Sequence, residues 1–193
     1  MGDVEIVGSD GAWPDAFRDV ANRLWTVLGE RAVRIDHIGS TSVPGLASKD
    51  VIDVQVSVER AGELDDVART LEEAGWTAHP DLDGDHHVPG WSHDGTDRRK
   101  RFVTEPAGSR RVNVHIRVMG QPNQRYPLLF RDYLRTHPLS VEAYATFKRD
   151  LAGLLPNDLR RYAETKDAVC DLISFAAEDW ATEIAWDPDR SDA

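Results

Sequence analysis

The chain has 193 residues, of which 40% are hydrophobic and 30% charged, enough apolar material for one soluble domain with a real core. A net charge of −11 argues against general nucleic-acid binding, and the single cysteine, Cys170, excludes an internal disulfide framework and suits a cytoplasmic setting. No apolar run approaches the roughly 18 residues of a membrane span, and the opening MGDVEIVGSDGAW has neither the basic nor the apolar region of a signal peptide.

Charge is unevenly distributed. Residues 59–97 hold eleven acids and two bases, whereas residues 98–149 hold twelve bases and three acids. Two readings are open: solvated faces that neutralise each other, or a basic wall for an anionic small molecule.

In chain order, the spacing of Ala16, Phe17, Val20, Leu24, Val27 and Leu28 predicts a helix over 13–29, with Pro14 in its first turn and Gly29 as its stop. Val33–Ile38 reads as a short strand. The turn after it, Gly39-Ser40-Thr41-Ser42, offers a close backbone approach at Gly39 and three hydroxyls in a row. It is either an ordinary capped turn or, if Ser42 or a neighbour caps a short helix, an anion site. Asp50–Val58 alternates as a strand, with Ile52, Val54, Val56 and Val58 on one face and Asp53 and Gln55 together on the other. A mid-strand acid is costly unless it is paired or belongs to a site. A Gly-Ser turn followed by a strand acid is the layout of nucleotidyltransferase-type folds, in which the turn holds phosphates and strand carboxylates hold a divalent metal.

Ala61–Ala74 is expected to be helical, and Trp76–Ala78 to begin a strand. The long segment 79–97 is rich in Asp, Gly and His. Its His79, His86, His87 and His93, with Asp83 and Asp85, match no standard zinc spacing. The alternatives are a solvated loop or a lid whose Trp91 stacks on a base or seals a pocket. Arg98–Thr104 and Arg111–Val118 are expected strands. The second has Val112, Val114, Ile116 and Val118 on its core face and Arg111, Asn113, His115 and Arg117 on the other. If the polar faces line a cleft, Arg101 and Arg117 hold phosphate oxygens in fork geometry, and His115 binds metal or acts as an acid or base. An edge sheet washed by water is the other reading. Helices are expected over Tyr126–Arg135, from Pro138, and from Pro156 with Asn157 as N-cap; Asp187–Ala193 is expected to fray. Lys148 and Lys166 sit on apolar stripes, either snorkelling to solvent or reaching a phosphate.

HIGSTSVPGL followed by VIDVQV resembles the GrpB family, which is assigned by similarity to the nucleotidyltransferase fold superfamily. The likeness extends to Trp13-Pro14, Lys100–Phe102, NVHIRV from Asn113, LLFRDYLRTHP from Leu128, and the pairs Tyr144…Lys148 and Tyr162…Lys166, covering roughly residues 10–180. KDVIDVQVSV and PNQRYPLLFRDYLR are especially similar to the actinobacterial branch, where such a domain is appended to dephospho-CoA kinase. No Gly-x-x-x-x-Gly-Lys-Ser/Thr loop is present, so kinase activity is not implied. The resemblance implies an α+β fold: one domain over 1–193, with a mixed sheet in a core at about 10–120 and C-terminal helices at about 124–185.

It further implies that Gly39, Ser40 and Asp53 take the superfamily's nucleotide and metal positions. Gln55 stands where a second carboxylate is usual, and Asn113 and His115 stand where a third would sit. Two functions follow as expectations. In the first, an NTP binds with Mg²⁺ or Mn²⁺ at Asp53, assisted by Gln55 and His115. Ser40, Thr41 and Ser42 hold the phosphates, Arg101, Arg117, Lys148 or Lys166 neutralise charge, and a nucleotidyl group passes to a small acceptor. In the second, the chain is a non-catalytic nucleotide- or CoA-like ligand-binding module partnering another enzyme. Neither involves nucleic acid or a membrane.

Overall fold

The computed structural model describes residues 3–92, 95–106, 108–188 and 191–193. Among them are five strands, β1 (Arg34–Ile38), β2 (Ile52–Val58), β3 (Thr77–Ala78), β4 (Lys100–Thr104) and β5 (Val112–Val118), and five α-helices, α1 (Trp13–Leu28), α2 (Leu64–Glu73), α3 (Pro122–Thr136), α4 (Pro138–Leu154) and α5 (Leu159–Ile184). The strands form one mixed sheet in the order β1-β2-β5-β4-β3, parallel at β2–β5 and antiparallel elsewhere. The expected α+β class, with a helical C-terminal part, is what the chain adopts.

Two periodicities build the core. On α1, Phe17, Val20, Ala21, Leu24 and Leu28 recur on one buried stripe, and Gly29 ends the helix at φ 53°. Leu64, Val67, Ala68 and Leu71 do the same on α2. Both helices cover the sheet face made by Ile52, Val54, Val56 and Val58 of β2 and Val112, Val114, Ile116 and Val118 of β5. Leu24 has no exposed surface, and truncating such a leucine to alanine costs about 2–5 kcal/mol. The opposite sheet face, polar by the same alternation, is left to α3, α4 and α5.

Four local expectations need correction. Arg101 pairs with Ile116 in the β4–β5 register and so lies on the helix-covered face, where its Nε donates to Asp65 Oδ1 at 2.5 Å. α3 starts at Pro122, before the apolar run begins, and continues through Pro127, whose missing N–H leaves one helical bond unmade. The N-cap of α5 is Asp158, whose carboxylate accepts from the Arg161 N–H, rather than Asn157. The tail does not fray at Ser191 and Asp192. These side chains accept from the outward N–H groups of Ile35 and His37 on the edge strand β1, both at 3.0 Å, and Asp192 pairs with the buried Arg131. Those strand donors would otherwise be unsatisfied.

Candidate functional site

The polar face of β2, β5 and β4 floors a cleft of about 410 Å³. Its walls are the Gly39–Ser40 turn, the segment 82–91, and side chains of α3, α4 and α5. In the parallel register Asp53 lies beside Asn113 and Gln55 beside His115, while Phe102 of β4 pairs with His115 from the other side. Asp53, His115, Arg117, Gly39, Ser40, Lys148 and Lys166 all line this cleft, as do Lys49, Lys100, Asp85, Trp91 and Tyr126.

Gly39 is required by geometry. It adopts φ 70°, and a Cβ there would stand 2.5 Å from Asp53 Oδ2. The turn that follows, Ser40–Ser42, divides its hydroxyls. Ser40 Oγ faces the cleft and accepts from Lys148 Nζ at 2.8 Å. Ser42 Oγ instead donates to the Gly39 carbonyl at 2.6 Å, and the buried Thr41 hydroxyl donates to the Val51 carbonyl while contacting His37 Nε2. The expected row of three phosphate-binding hydroxyls is therefore one, because Ser42 closes the turn and Thr41 ties it to Val51 and His37.

A second knot of side chains lies across the floor. Asp85 receives Lys100 Nζ at 2.7 Å, Arg117 Nε at 2.8 Å and Nη2 at 2.9 Å, and Asn123 Nδ2 at 3.1 Å. Arg117 Nη1 donates to Gln55 Oε1 at 2.8 Å, and the Gln55 amide donates to the Gln124 carbonyl at 2.9 Å. Burial alone would raise the Asp85 carboxyl, but the Arg117 and Lys100 charges reverse this and hold it far below the usual carboxylate range. Two expectations change as a result. Gln55 has no exposed surface and both ends of its amide are used, so it is no metal ligand. Arg117 reaches the cleft, yet its guanidinium is already neutralised by Asp85.

His115 joins this knot to Asp53. Its Nδ1 faces Lys100 Nζ at 3.5 Å and Arg117 Nη2 at 3.4 Å, and its Nε2 points at Asp53 Oδ1 from 3.9 Å. Two donors opposite Nδ1 make that nitrogen the acceptor and put the proton on Nε2, towards Asp53. Burial, followed by the Arg117 and Lys100 charges, lowers His115 to about 4. The ring is held neutral beside the carboxylate, and its Nδ1 faces the Lys100 and Arg117 donors, an arrangement unsuited to the metal-binding or base role expected of it. Burial alone would raise Asp53, but the His115 imidazole, the Asn113 amide at 2.8 Å and the Lys49 charge outweigh it and hold the acid low.

At the other end of the cleft stand Lys49, Lys148 and Lys166. None forms an ion pair with a carboxylate among the described residues. Lys148 is 2% exposed; it touches Ser40 and lies 4.7 Å over the Tyr144 ring. Burial and then the neighbouring Lys166 charge push its ammonium down to about 7, with Lys49 adding to the effect. Lys49 lies 5.6 Å over the Tyr162 ring, and Lys166 Nζ is 3.4 Å from Cys170 Sγ. Snorkelling does not describe Lys148, whose ammonium is directed inwards.

For a divalent cation this donor set is thin. Asp53 Oδ1 is taken by Asn113, which leaves Oδ2; Asp85 and Gln55 are spent, and His115 presents a proton. Among the described residues no group of three His, Cys, Asp or Glu side chains is placed to hold a metal ion. The residues present do not fit a two-carboxylate metal centre. The described residues of the histidine-rich segment make no such centre either. His86 Nε2 meets Asp171 at 2.7 Å, His79 meets Thr104 at 3.0 Å, and His93 lies outside the described residues. Trp91 does line the cleft, edge-on to Tyr126 at 5.9 Å.

Lys49 and Lys100 escaped the sequence reading, although Lys100 carried a signal. It alternates with Arg101 and shares the parity of Phe102, whereas Arg101 shares that of the core residue Val103.

Residues 3–174 match the family described as GrpB protein. Dephospho-CoA kinase of Mycobacterium tuberculosis is 36% identical over 195 residues, which cover 95% of this chain and 48% of that protein. A UPF0157 protein of Pseudomonas aeruginosa is 33% identical over 173 residues, covering 88% of this chain and 66% of that protein. The crystal structure of conserved protein GrpB from Enterococcus faecalis superposes with a TM-score of 0.74 at 30% identity, covering 91% of this chain and 99% of that one. The chain spans about half the length of the kinase relatives it matches. Among the described residues no helix is long and apolar enough to cross a membrane.

Proposed function

The chain belongs to the GrpB family, and from that premise we propose that its cleft binds a small molecule of nucleotide or CoA type through a phosphate or polyphosphate group. One observation carries this reading. Lys49, Lys148 and Lys166 converge on one end of the cleft without a contact ion pair to a carboxylate, although Asp53 and Asp167 act on Lys49 and Lys166 through their charge, and Lys148 is held there at the cost of burying a charge. An anion relieves that cost, and each ammonium donates a charge-assisted hydrogen bond to it. Ser40 and the backbone beside Gly39 supply the neutral contacts. The likeness to a mycobacterial dephospho-CoA kinase supports including CoA and dephospho-CoA among candidate ligands, and testing a separate kinase polypeptide as a partner.

The test is calorimetric titration with ATP, GTP, CTP, UTP, CoA and dephospho-CoA, on wild type and on Lys148→Met and Lys166→Met. At least one compound binds saturably, and each variant weakens it by roughly ten- to a hundredfold, the worth of a hydrogen bond between charged groups. A panel in which nothing binds, or in which both variants bind as wild type does, removes the reading.

A second reading, nucleotidyl transfer to a small acceptor, is favoured by Asp53 Oδ2, which has no hydrogen-bond partner among the described residues and lies against the Gly39 turn. Pyrophosphate released from an NTP in an acceptor screen, and abolished by Asp53→Asn, would establish it. An inactive screen with intact binding leaves the binding module.

A further inference from the structure

We propose that the cleft takes its phosphorylated ligand as the free anion, without a divalent cation, and that the Lys49 ammonium supplies the positive charge a metal would bring beside Asp53. The inference rests on the anion-binding reading and adds the ionic form of the ligand.

The argument is one of charge. A metal that bridges strand carboxylates and phosphates needs negative protein groups on its inner side. Here that side offers one oxygen of one carboxylate. The second position is Gln55, whose amide is committed to Arg117 and Gln124. Asp85, another acid lining the cleft, is saturated by Lys100, Arg117 and Asn123. The third strand position, His115, brings no negative charge, and its Nδ1 is faced by the Lys100 and Arg117 donors.

Positive charge, in contrast, is present in excess. Lys49 immediately precedes the Asp50–Ile52 entry into β2, its charge acts on Asp53, and Lys148 and Lys166 stand with it around the same cavity. Asp167 lies on the same wall, but no ion pair joins it to any of the three lysines. Like charges repel and opposite charges attract strongly in a partly buried site, so the Lys49 and Lys166 ammonium groups, joined by Lys148 once an anion favours its charged form, disfavour an incoming dication and attract an anion. Magnesium complexed to a triphosphate also cancels two of the charges the lysines would meet. The site therefore favours the uncomplexed ligand.

Calorimetric titration with inorganic triphosphate and with ATP tests this, each in EDTA and in excess Mg²⁺. Wild type, Lys49→Met and Asp53→Asn are compared, with melting temperatures confirming that the variants fold. Binding in EDTA is expected to be at least as tight as in Mg²⁺, and Lys49→Met to weaken it by about tenfold, one charge-assisted contact. Asp53→Asn is expected to leave it unchanged or tighten it, since an anion is removed from beside the ligand. Binding that appears only with Mg²⁺ or Mn²⁺ and is lost in Asp53→Asn overturns the proposal while leaving the anion site standing. Equal affinity of wild type and Lys49→Met overturns the role of Lys49. No binding of either probe in either buffer overturns this inference, whereas the anion site falls only if CoA, dephospho-CoA and the other nucleotides fail to bind as well.

Discussion

The two ends of the cleft handle buried charge in opposite ways. At the Asp85 end, Arg117 and Lys100 are paired with a carboxylate from the 79–92 segment, and Asn123 and Gln55 complete the network. At the Ser40 end, Lys49, Lys148 and Lys166 touch hydroxyl, thiol and aromatic groups, and none of the three forms a contact ion pair with a carboxylate among the described residues. A cation that is already neutralised holds the fold together. A cation left unneutralised in a cavity is kept at a cost to stability, and that cost makes sense where a ligand supplies the missing charge. Both ends look alike as sequence, since each is a set of basic residues, on strands at one end and on helices and the loop before β2 at the other.

The sharpest way to break the contrast is to unpair the knot. Asp85→Ala leaves Arg117 (5% exposed) and Lys100 (9% exposed) buried without their counter-charge. It is expected to destabilise the protein by about 3–5 kcal/mol, read from urea unfolding at neutral pH. The matching change at the other end, Lys148→Met, removes an unpaired buried charge. It is expected to leave stability equal or higher while abolishing most phosphate binding. If Lys148→Met destabilised as much as Asp85→Ala, the division into a structural end and a ligand end would fail.

His115 links the ends, and its titration sharpens the comparison. Its value of about 4 lies below the ordinary 6.5, so the fold favours the neutral ring. That contribution is complete above pH 6.5 and is lost as pH falls from there towards 4. His37 is likewise lowered to about 4, by burial and then, against the opposing charge of Asp53, by Arg135 and Arg131; it behaves the same way. Each is worth about 3 kcal/mol over that window. Asp53 and Asp85, held below the usual 3.8, lose their contributions only at lower pH. Urea unfolding at several values between pH 6.5 and 4 should show His115→Gln losing its share of the acid sensitivity. An unchanged slope would mean that the ring is not held neutral.

Ligand binding carries the opposite signature. Lys148, lowered to about 7, is faced by Lys166 and Cys170 of α5, by Lys49, by Arg149 on its own helix and by the Tyr144 ring, and it is partly neutral in the free protein. An anion favours its charged form, so binding above pH 7 takes up a proton and affinity falls as pH rises. Titrations in two buffers of different ionisation enthalpy measure that uptake, which Lys148→Met should remove.

How much of this was legible beforehand depends on range. Alternation in Ile52–Val58 and Val112–Val118 assigned each residue to a face, and Gly39 stood out as a close-approach position. Those are properties of neighbours along the chain. Which cations are neutralised is not such a property. Asp85 reaches Arg117 across 32 residues, and Lys148 reaches Ser40 across 108. Gln55 looked like a ligand for the same reason, because its partners Arg117 and Gln124 lie far along the chain. The acidic and basic segments do partly cancel, but they do so through Asp85 inside the cleft as well as through Asp65 on the surface.

Arg101 gives the smallest and most discriminating prediction. It lies one residue from Lys100 and belongs to the same basic run, yet strand parity sends it to the helix-covered face, where its partner Asp65 is mostly exposed (side chain 60%). An ion pair of that kind contributes no more than about 1 kcal/mol, screened further by salt. Arg101→Ala is therefore expected to shift stability by less than about 1 kcal/mol and to leave phosphate affinity at the wild-type value, whereas Lys100→Ala, one position away, strips Asp85 of a buried partner and costs several times more. Urea unfolding and one calorimetric titration of each variant suffice. If Arg101→Ala weakened phosphate binding, the cleft would have to extend to the other side of the sheet, which the β4–β5 register and the valine layer beneath it do not allow.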